Sequence, residues 1–360
     1  MEKMYIVLND GHVFEGKGFG ATGETLGELV FTTGMVGYIE TLTDPSYYGQ
    51  IVMHTFPLIG NYGMITADME SEKSVVKGYV VREWCEMPSN FRTETDIDEF
   101  LKKNNIVAVY GVDTREITKI IREQGVMNAY ITSNPEKIDK KALADYVITD
   151  AVKSVSTHEK KIYKAENEKY QVALLDYGAK MNIIRELRQR GCTVHVLPFH
   201  TKAEEILSLN VDGIMLSNGP GDPAENVEAI EELKKLLGKK PIFGICLGHQ
   251  LLALAAGGKT EKLKYGHRGA NQPVKRLSDG RVFITSQNHG YAVIGSSIDE
   301  KVGKISFINA NDGTCEGVEY PDYNAYTVQF HPEACSGPID TKFLFDRFIS
   351  MMGGENHAAE

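Results

Sequence analysis

The sequence predicts an α/β protein with a strand-rich N-terminal half and a C-terminal half built on a parallel sheet. Two patterns support this prediction. Short apolar runs separated by Gly, Thr and Asp dominate residues 1–150, whereas apolar strands alternate with amphipathic helices from residue 170 onward. Such alternation is typical of a parallel sheet covered by helices on both faces. The length of 360 residues fits two domains.

Composition excludes several classes of protein. The net charge of -10 argues against an extended nucleic-acid surface. The first ten residues become polar too early for a signal peptide, and no run of roughly 18 apolar residues predicts a membrane span. The cysteines are odd in number, scattered and without CxxC pairs, which favours reduced thiols in the cytoplasm and no metal site. They are Cys85, Cys192, Cys246, Cys315 and Cys335.

The N-terminal domain is assigned to residues 1–150. An Asp-Gly pair at 10–11 lies between two apolar runs and predicts a β-hairpin. Helical periodicity is visible at 96–103 and at 114–124, the latter closed by Gly125, and a further helical stretch lies near 136–146. Residues 151–168 are polar and rich in Lys and Glu, so we predict a linker there.

The second domain is assigned to residues 169–353, with a tail at 354–360. Asp222 and Pro223 predict the start of a helix whose apolar positions include Val227, Ile230, Leu233 and Leu237. Shorter strands are expected over 259–330. The predicted strands are 172–175, 193–197, 213–216 and 241–245, and the other predicted helices are 180–190, 203–209 and 248–256.

A candidate nucleophile lies in Gly244-Ile-Cys-Leu-Gly248, between a predicted strand and a predicted helix. A nucleophile elbow needs this context, because the tight turn exposes the central side chain and aims the next backbone N–H at the same space. The N-terminus of the following helix favours thiolate over thiol. The alternative is a small buried cysteine that only packs in the turn.

A thiol nucleophile commonly works with a histidine that a third group orients. His331 ends a predicted strand, and Glu333 follows two residues later, on the same side of an extended chain. The same pattern also occurs at solvated strand ends. His249 is a weaker candidate for the base, because it begins the helix behind the elbow and should point away. His267 and His289 stay open as further candidates of lower weight.

These motifs together resemble the class I, or triad-type, glutamine amidotransferases. The resemblance rests on Gly-Ile-Cys-Leu-Gly-His-Gln at 244–250, Gln-Phe-His-Pro-Glu at 329–333 and Ser-Asn-Gly-Pro-Gly-Asp at 217–222. It implies a flavodoxin-like parallel sheet. Five further segments resemble the carbamoyl-phosphate synthetase small-subunit family, whose N-terminal half other triad amidotransferases lack. They are 43–47, 56–63, 111–115, 176–183 and 287–291.

The resemblance implies a role for each matching residue. Cys246 would attack the amide of glutamine, His331 would carry the proton, and Glu333 would orient His331. The backbone N–H groups of Leu247 and Gly219 would form the oxyanion hole. The positions implied for L-glutamine binding are Ser46, Gly219, Gly221, Leu247, Gln250, Asn288, Gly290 and Tyr291. Taken singly, several of these residues are also ordinary turn formers.

The resemblance also implies a partner. Ammonia from glutamine would pass to a large subunit that uses ATP, Mg²⁺ and bicarbonate to make carbamoyl phosphate for arginine or pyrimidine biosynthesis. This chain itself would need no cofactor. Two alternatives stay open: an amidotransferase that serves anthranilate or guanylate synthesis, and a non-catalytic scaffold. Cys335 is the rival thiol, and we expect its replacement by serine to change activity little.

Overall fold

The computed structural model describes residues 2–334 and 336–354. The chain folds into two compact units, Met1–Thr149 and Asp150–Glu360. Cys335 and residues 355–360 of the predicted tail lie outside the described residues. Within the described residues, no helix is both long and apolar enough to cross a membrane.

The first unit is a closed barrel of seven strands in the order β1-β2-β8-β6-β4-β3-β9. Its strands, with the short pair β5 and β7, are β1 Lys3–Leu8, β2 Val13–Gly20, β3 Thr25–Thr32, β4 Gln50–His54, β5 Leu58–Ile59, β6 Gly78–Val81, β7 Glu83–Trp84, β8 Val107–Tyr110 and β9 Met127–Thr132. Its helices are α1 Tyr38–Thr43, α2 Ile97–Lys103, α3 Thr114–Gln124 and α4 Lys140–Asp145. One buried apolar cluster of the unit includes Tyr38, Val52, Tyr79 and Leu101.

Local sequence signals explain several of these elements. β1 and β2 form the predicted antiparallel hairpin, and Gly11 in its turn has a φ of 95°, which favours glycine. The side chains of Asp96 and Asp113 cap α2 and α3 by accepting hydrogen bonds from backbone N–H groups three residues later. The helices predicted at 96–103 and 114–124 are thus confirmed to within one residue.

The second unit is a ten-stranded sheet in the order β10-β12-β11-β13-β14-β19-β18-β16-β15-β17. Its strands are β10 Lys161–Tyr163, β11 Tyr170–Asp176, β12 Cys192–Pro198, β13 Gly213–Leu216, β14 Ile242–Ile245, β15 Thr260–Arg276, β16 Val282–Val293, β17 Lys304–Asn309, β18 Cys315–Tyr320 and β19 Ala325–Val328. Its helices are α5 Ala151–Val155, α6 Met181–Gln189, α7 Ala203–Ser208, α8 Val227–Leu236, α9 Leu247–Ala255 and α10 Phe343–Met352.

The five strands β12, β11, β13, β14 and β19 run parallel in that order. This is the 2-1-3-4-5 order of flavodoxin-like folds. Alternate residues of β11 enter two separate buried clusters, Ala173 and Leu175 in one and Val172 and Leu174 in the other. Since successive side chains of a strand point to opposite faces, the sheet is buried on both faces, as the sequence predicts.

The segment predicted as a linker carries α5 and β10. Strand β10 pairs antiparallel with β12 and forms one edge of the large sheet. Lys161 and Ile162 of β10 are exposed. An edge strand that is exposed on most of its length resembles a polar linker in sequence, because burial does not select an apolar pattern there.

Two other predictions for the second unit need correction. Asp222 caps a short 3₁₀ turn, Pro223–Glu225, and α8 starts only at Val227, which is 62% exposed. The side chain of Asp222 accepts from the N–H of Ala224, so the Asp-Pro signal marks a turn before the helix. The strands expected to be short over 259–330 include the long hairpin of β15 and β16, whose pairing continues through two register shifts.

Candidate active site

Cys246 lies between the end of β14 and the start of α9. Its φ of 52° and ψ of -102° place a non-glycine residue in a strained backbone conformation, as at a nucleophile elbow. Its N–H donates to the carbonyl of Val328, and its own carbonyl accepts from the N–H of Gln250 in the first turn of α9. The side chain is 2% exposed and stands at the N-terminus of the nine-residue α9. Such a position favours a thiolate.

The two glycines of the elbow let α9 approach the sheet. A Cβ on Gly248 would lie 2.5 Å from the carbonyl oxygen of Leu216 in β13, and a Cβ on Gly244 in β14 would lie 3.0 Å from the backbone carbonyl carbon of Gly248 in α9. Both distances are shorter than van der Waals contact, so any side chain here would push the helix away from the sheet. The glycines therefore serve the close packing that fixes the Cys246 backbone.

His331 and Glu333 follow β19 and are both fully buried. Nδ1 of His331 lies 2.7 Å from Oε1 of Glu333. This contact directs the other ring nitrogen, Nε2, away from the carboxylate, and Nε2 has no conventional hydrogen-bond partner within the described residues. The sulfur of Cys246 raises the pKa of this imidazole, so it lies close to the ring. The three side chains of the expected triad, Cys246, His331 and Glu333, therefore lie close together.

The charge balance at His331 and Glu333 favours an imidazolium–carboxylate pair. Burial and the Lys180 ammonium lower the pKa of His331, but Glu333 and the sulfur of Cys246 raise it, and the balance raises this pKa to about 9. Burial raises the pKa of Glu333, whereas His331 and Lys180 lower it, to about 2. The pair can thus hold a proton near the sulfur at neutral pH.

Lys180 is a member of the site to which the sequence patterns assigned no role. It precedes α6, it is 8% exposed, and its Nζ lies 3.5 Å from Oε1 of Glu333 and 3.3 Å from Nδ1 of His331. Its backbone N–H donates to the side chain of Asn218, which lies beside Gly219 in the loop after β13. Lys180 belongs to the motif at 176–183, but only the fold brings it to His331.

The loop after β13 lies against the elbow. A Cβ on Gly219 would lie 2.2 Å from the carbonyl oxygen of Tyr177 and 2.7 Å from Cδ2 of Leu247, so Gly219 packs directly on the residue that follows Cys246. Gly221 has a φ of 85°, a conformation that favours glycine. Gly219 therefore packs against the side chain of Leu247, and the oxyanion role of the two backbone N–H groups stays a prediction.

Among the predicted glutamine-binding residues of the second unit, Asn288 contacts the sulfur directly. The carbonyl oxygen of Asn288 lies 3.7 Å from Sγ of Cys246. Nε2 of Gln250 donates to the carbonyl of Tyr291 at 2.7 Å. A Cβ on Gly290 would lie 3.3 Å from an Arg268 nitrogen. The end of β16 thus contacts both Cys246 and the first turn of α9.

Ser46 lies in the first unit, in the 3₁₀ turn Pro45–Tyr47. It is 8% exposed, and its backbone N–H donates to Oδ1 of Asp44. Asp44 therefore fixes the turn that carries the Ser46 hydroxyl. The role of Ser46 in binding glutamine stays a prediction.

The other histidine candidates have structural partners. His249 is fully buried, its Nδ1 lies 2.7 Å from Oγ1 of Thr327, and burial lowers its pKa to about 3. Both ring nitrogens of His289 contact oxygens, the Tyr291 carbonyl and the side chain of Gln287. We therefore assign His249 and His289 to packing and hydrogen bonding rather than to proton transfer.

His267, His289 and Glu316 bring potential metal-ligand atoms within 4.8 Å of one another, which sequence spacing did not reveal. Most of these atoms contact protein groups, although Nδ1 of His267 has no conventional hydrogen-bond partner within the described residues and lies 3.6 Å from Oε1 of Glu316. Nε2 of His267 contacts Asp312 at 2.8 Å, and the carboxylate of Glu316 accepts from Gln287 and Asn309. The cluster forms a buried hydrogen-bond network behind β16.

The other described cysteines differ from Cys246 in their surroundings. Cys192 and Cys315 are buried, and burial raises the pKa of each thiol to about 12. Thiols of this kind react slowly near neutral pH. Cys85 lies in the first unit and is half-buried. Cys335, the rival thiol predicted from the sequence, lies outside the described residues.

The fold and the site define a class of protein, and comparison with protein families agrees. Residues 173–351 match the glutamine amidotransferase class-I family, so the second unit is a class-I glutamine amidotransferase domain. Residues 6–131 match the CPSase domain of the carbamoyl-phosphate synthase small chain.

Curated relatives cover nearly the whole chain. A carbamoyl phosphate synthase small chain from Clostridium perfringens is 52% identical over 96% of this chain and 99% of its own length. Relatives of the same name from Listeria monocytogenes and Bacillus cereus are 50% and 51% identical over 99% and 97% of this chain, and over 98% and 96% of their own lengths. The chain belongs to the carbamoyl phosphate synthase small chain family.

Proposed function

We propose that this chain hydrolyses glutamine through Cys246, His331 and Glu333 and supplies the ammonia to a carbamoyl phosphate synthase large subunit. One observation carries the proposal: a buried imidazole beside a strained elbow cysteine has its other nitrogen fixed by a carboxylate at 2.7 Å. Family membership supplies the substrate and the partner.

Each step of the proposed reaction is assigned to a group of this site. His331 holds the proton of the Cys246 thiol on Nε2, and the resulting thiolate attacks the side-chain carbonyl carbon of glutamine. The N–H groups of Leu247 and Gly219 stabilise the developing oxyanion, and one such donor contributes about 3–4 kcal/mol. His331 returns the proton to the departing ammonia. Water then hydrolyses the thioester and releases glutamate and the thiol.

Recognition of glutamine is assigned to groups around the sulfur. The carbonyl oxygen of Asn288 lies 3.7 Å from Sγ of Cys246, and Gln250 donates to the carbonyl of Tyr291. Gly221, Gly290 and Ser46 are assigned to glutamine binding from the family resemblance. His331, Glu333 and Lys180 form a charged group beside the reacting atoms.

The proposal extends to the partner and the compartment. ATP, Mg²⁺ and bicarbonate act on the large subunit, and this chain needs no cofactor of its own. The complex works in the cytoplasm, which is consistent with the free thiols at Cys85, Cys192, Cys246 and Cys315. The carbamoyl phosphate feeds arginine biosynthesis, pyrimidine biosynthesis or both.

A coupled assay distinguishes the proposal from an amidotransferase that serves another synthase. The purified chain is mixed in turn with the large subunit of carbamoyl phosphate synthase and with anthranilate and guanylate synthase partners. We expect glutamine-driven product only with the first partner. Product with another partner, or no glutamine use with any, would show that the assignment is wrong.

A further inference from the structure

Gln329 is a buried polar residue for which the mechanism above has no role. It follows β19 and precedes His331 by two residues. Gln329 is 0% exposed. Its Nε2 lies 3.5 Å from Sγ of Cys246, within the range of a hydrogen bond to sulfur. An amide is thus directed at the reacting atom.

The surrounding contacts determine which end of that amide faces the sulfur. Nε2 of Gln250 lies 2.7 Å from the carbonyl oxygen of Tyr291, an obligate acceptor, so this end of Gln250 must be the donor. The same nitrogen lies 2.9 Å from Oε1 of Gln329. The oxygen of Gln329 therefore faces Gln250, and its NH₂ group faces Cys246.

This donor changes the balance between the two forms of the thiol. The carbonyl of Asn288, at 3.7 Å from Sγ, can accept a proton from the thiol and favours the neutral form. The N–H of Gln329 can only donate, and a donor favours the charged form. Only the ionised sulfur is the nucleophile.

We propose that Gln329 is a further catalytic residue, which donates a hydrogen bond from Nε2 to the Cys246 sulfur and stabilises the thiolate that attacks glutamine. The proposal rests on the function proposed above. His331 removes the proton from the sulfur, and Gln329 stabilises the charge that remains. Gln250 holds the Gln329 amide in the donating orientation.

The test is the pH dependence of alkylation of Cys246 by iodoacetamide in the full chain, resolved by mass spectrometry. We expect Gln329→Met, which keeps the volume and removes the donor, to raise the midpoint pH by about one unit. His331, Glu333, Lys180, His289 and Arg268, the ionisable groups around the sulfur, are the same in both proteins. An unchanged midpoint would overturn the proposal.

A second variant and a control keep the result interpretable. Gln329→Asn retains the amide but is too short to reach the sulfur, so it should raise the midpoint too, and it replaces Gln329→Met if that variant does not fold. Gln272→Met makes the same chemical change on β15, where the described hydrogen bond uses only the backbone carbonyl. We expect Gln272→Met to leave the midpoint at its original pH.

Alkylation also separates this proposal from the function on which it rests. If the midpoint shifts but the original chain hydrolyses no glutamine, the hydrogen bond stands and the glutaminase assignment fails. If the chain is an active glutaminase whose midpoint is the same with and without Gln329, the role of Gln329 alone is refuted. In an active enzyme, Gln329→Met should also lower kcat/KM near neutral pH by up to about ten-fold, and raising the pH should partly restore it.

Discussion

At the scale of single residues, the site depends on a buried carboxylate that keeps a histidine protonated. Burial and Lys180 lower the pKa of His331, and Glu333 is the strongest group acting in the opposite direction. The pKa of about 9 lies above the ordinary value of 6.5. Proton binding at His331 therefore stabilises the folded state fully below pH 6.5, and this contribution is lost as the pH rises through 9.

The first prediction concerns that carboxylate. In Glu333→Gln, burial and Lys180 act on His331 without the opposing charge, so the pKa of His331 should fall well below 9. NMR titration of the His331 ring measures it directly. Glu319→Gln, which removes a carboxylate paired with Arg347, is the matched control and should leave His331 unchanged. A His331 pKa that stays near 9 in Glu333→Gln would contradict this account.

The sequence made some residues of the site recognisable and not others. Cys246 stands in a short contiguous motif, and His331 and Glu333 are two residues apart, although a turn at residues 332–333 rather than an extended chain brings them together. Lys180 is separated from His331 by 151 positions, and its contact depends on where the loop after β11 meets the end of β19. Gln329 was part of a recognised motif, but its role depends on a hydrogen bond to Gln250 that no local pattern encodes.

At the scale of elements, the elbow depends on close packing of α9 against β13. The second prediction is that Gly248→Ala lowers the free energy of unfolding by about 1–3 kcal/mol, because the added methyl group lies too close to Leu216. It should also reduce glutamine hydrolysis, since the helix carries the Leu247 N–H. Thermal unfolding and glutamate release measure the two effects.

Gly257→Ala is the control for this substitution. Gly257 follows α9 and has a φ of 91°, but a Cβ there would meet no atom within 4 Å. Gly257→Ala should therefore lower the free energy of unfolding by about 1–2 kcal/mol through backbone strain alone, and glutamine hydrolysis should be unchanged. Equal activity in Gly248→Ala and Gly257→Ala would show that close packing at the elbow is not required.

Elements with one clear local cause were predictable, and elements whose boundaries depend on tertiary contacts were not. The Asp-capped helices α2 and α3 follow from their own residues. The start of α8 was misplaced, because Asp222 and Pro223 satisfy a short 3₁₀ turn as well as a helix. The length of the β15–β16 hairpin was missed, because its register shifts interrupt the alternation that marks a strand.

At the scale of the whole molecule, the chain combines a barrel unit with a unit built on a ten-stranded sheet. The parallel arrangement of the second unit followed from strand–helix alternation, but the order β12-β11-β13-β14-β19 did not, since alternation alone does not say which strands are neighbours. The closed barrel of the first unit was likewise visible only as a strand-rich half. The family relationship covers both units and links the glutaminase site to a synthase.

The central claim is that Cys246 releases ammonia from glutamine and that a partner subunit uses this ammonia to make carbamoyl phosphate. The most direct measurement compares glutamine with ammonia as the nitrogen source for carbamoyl phosphate formation in the complex containing Cys246→Ser, with Cys335→Ser as control. We predict a loss of about 1,000-fold or more with glutamine, an unchanged rate with ammonia, and nearly full glutamine use by the control. Full glutamine use by the Cys246→Ser complex would contradict the account.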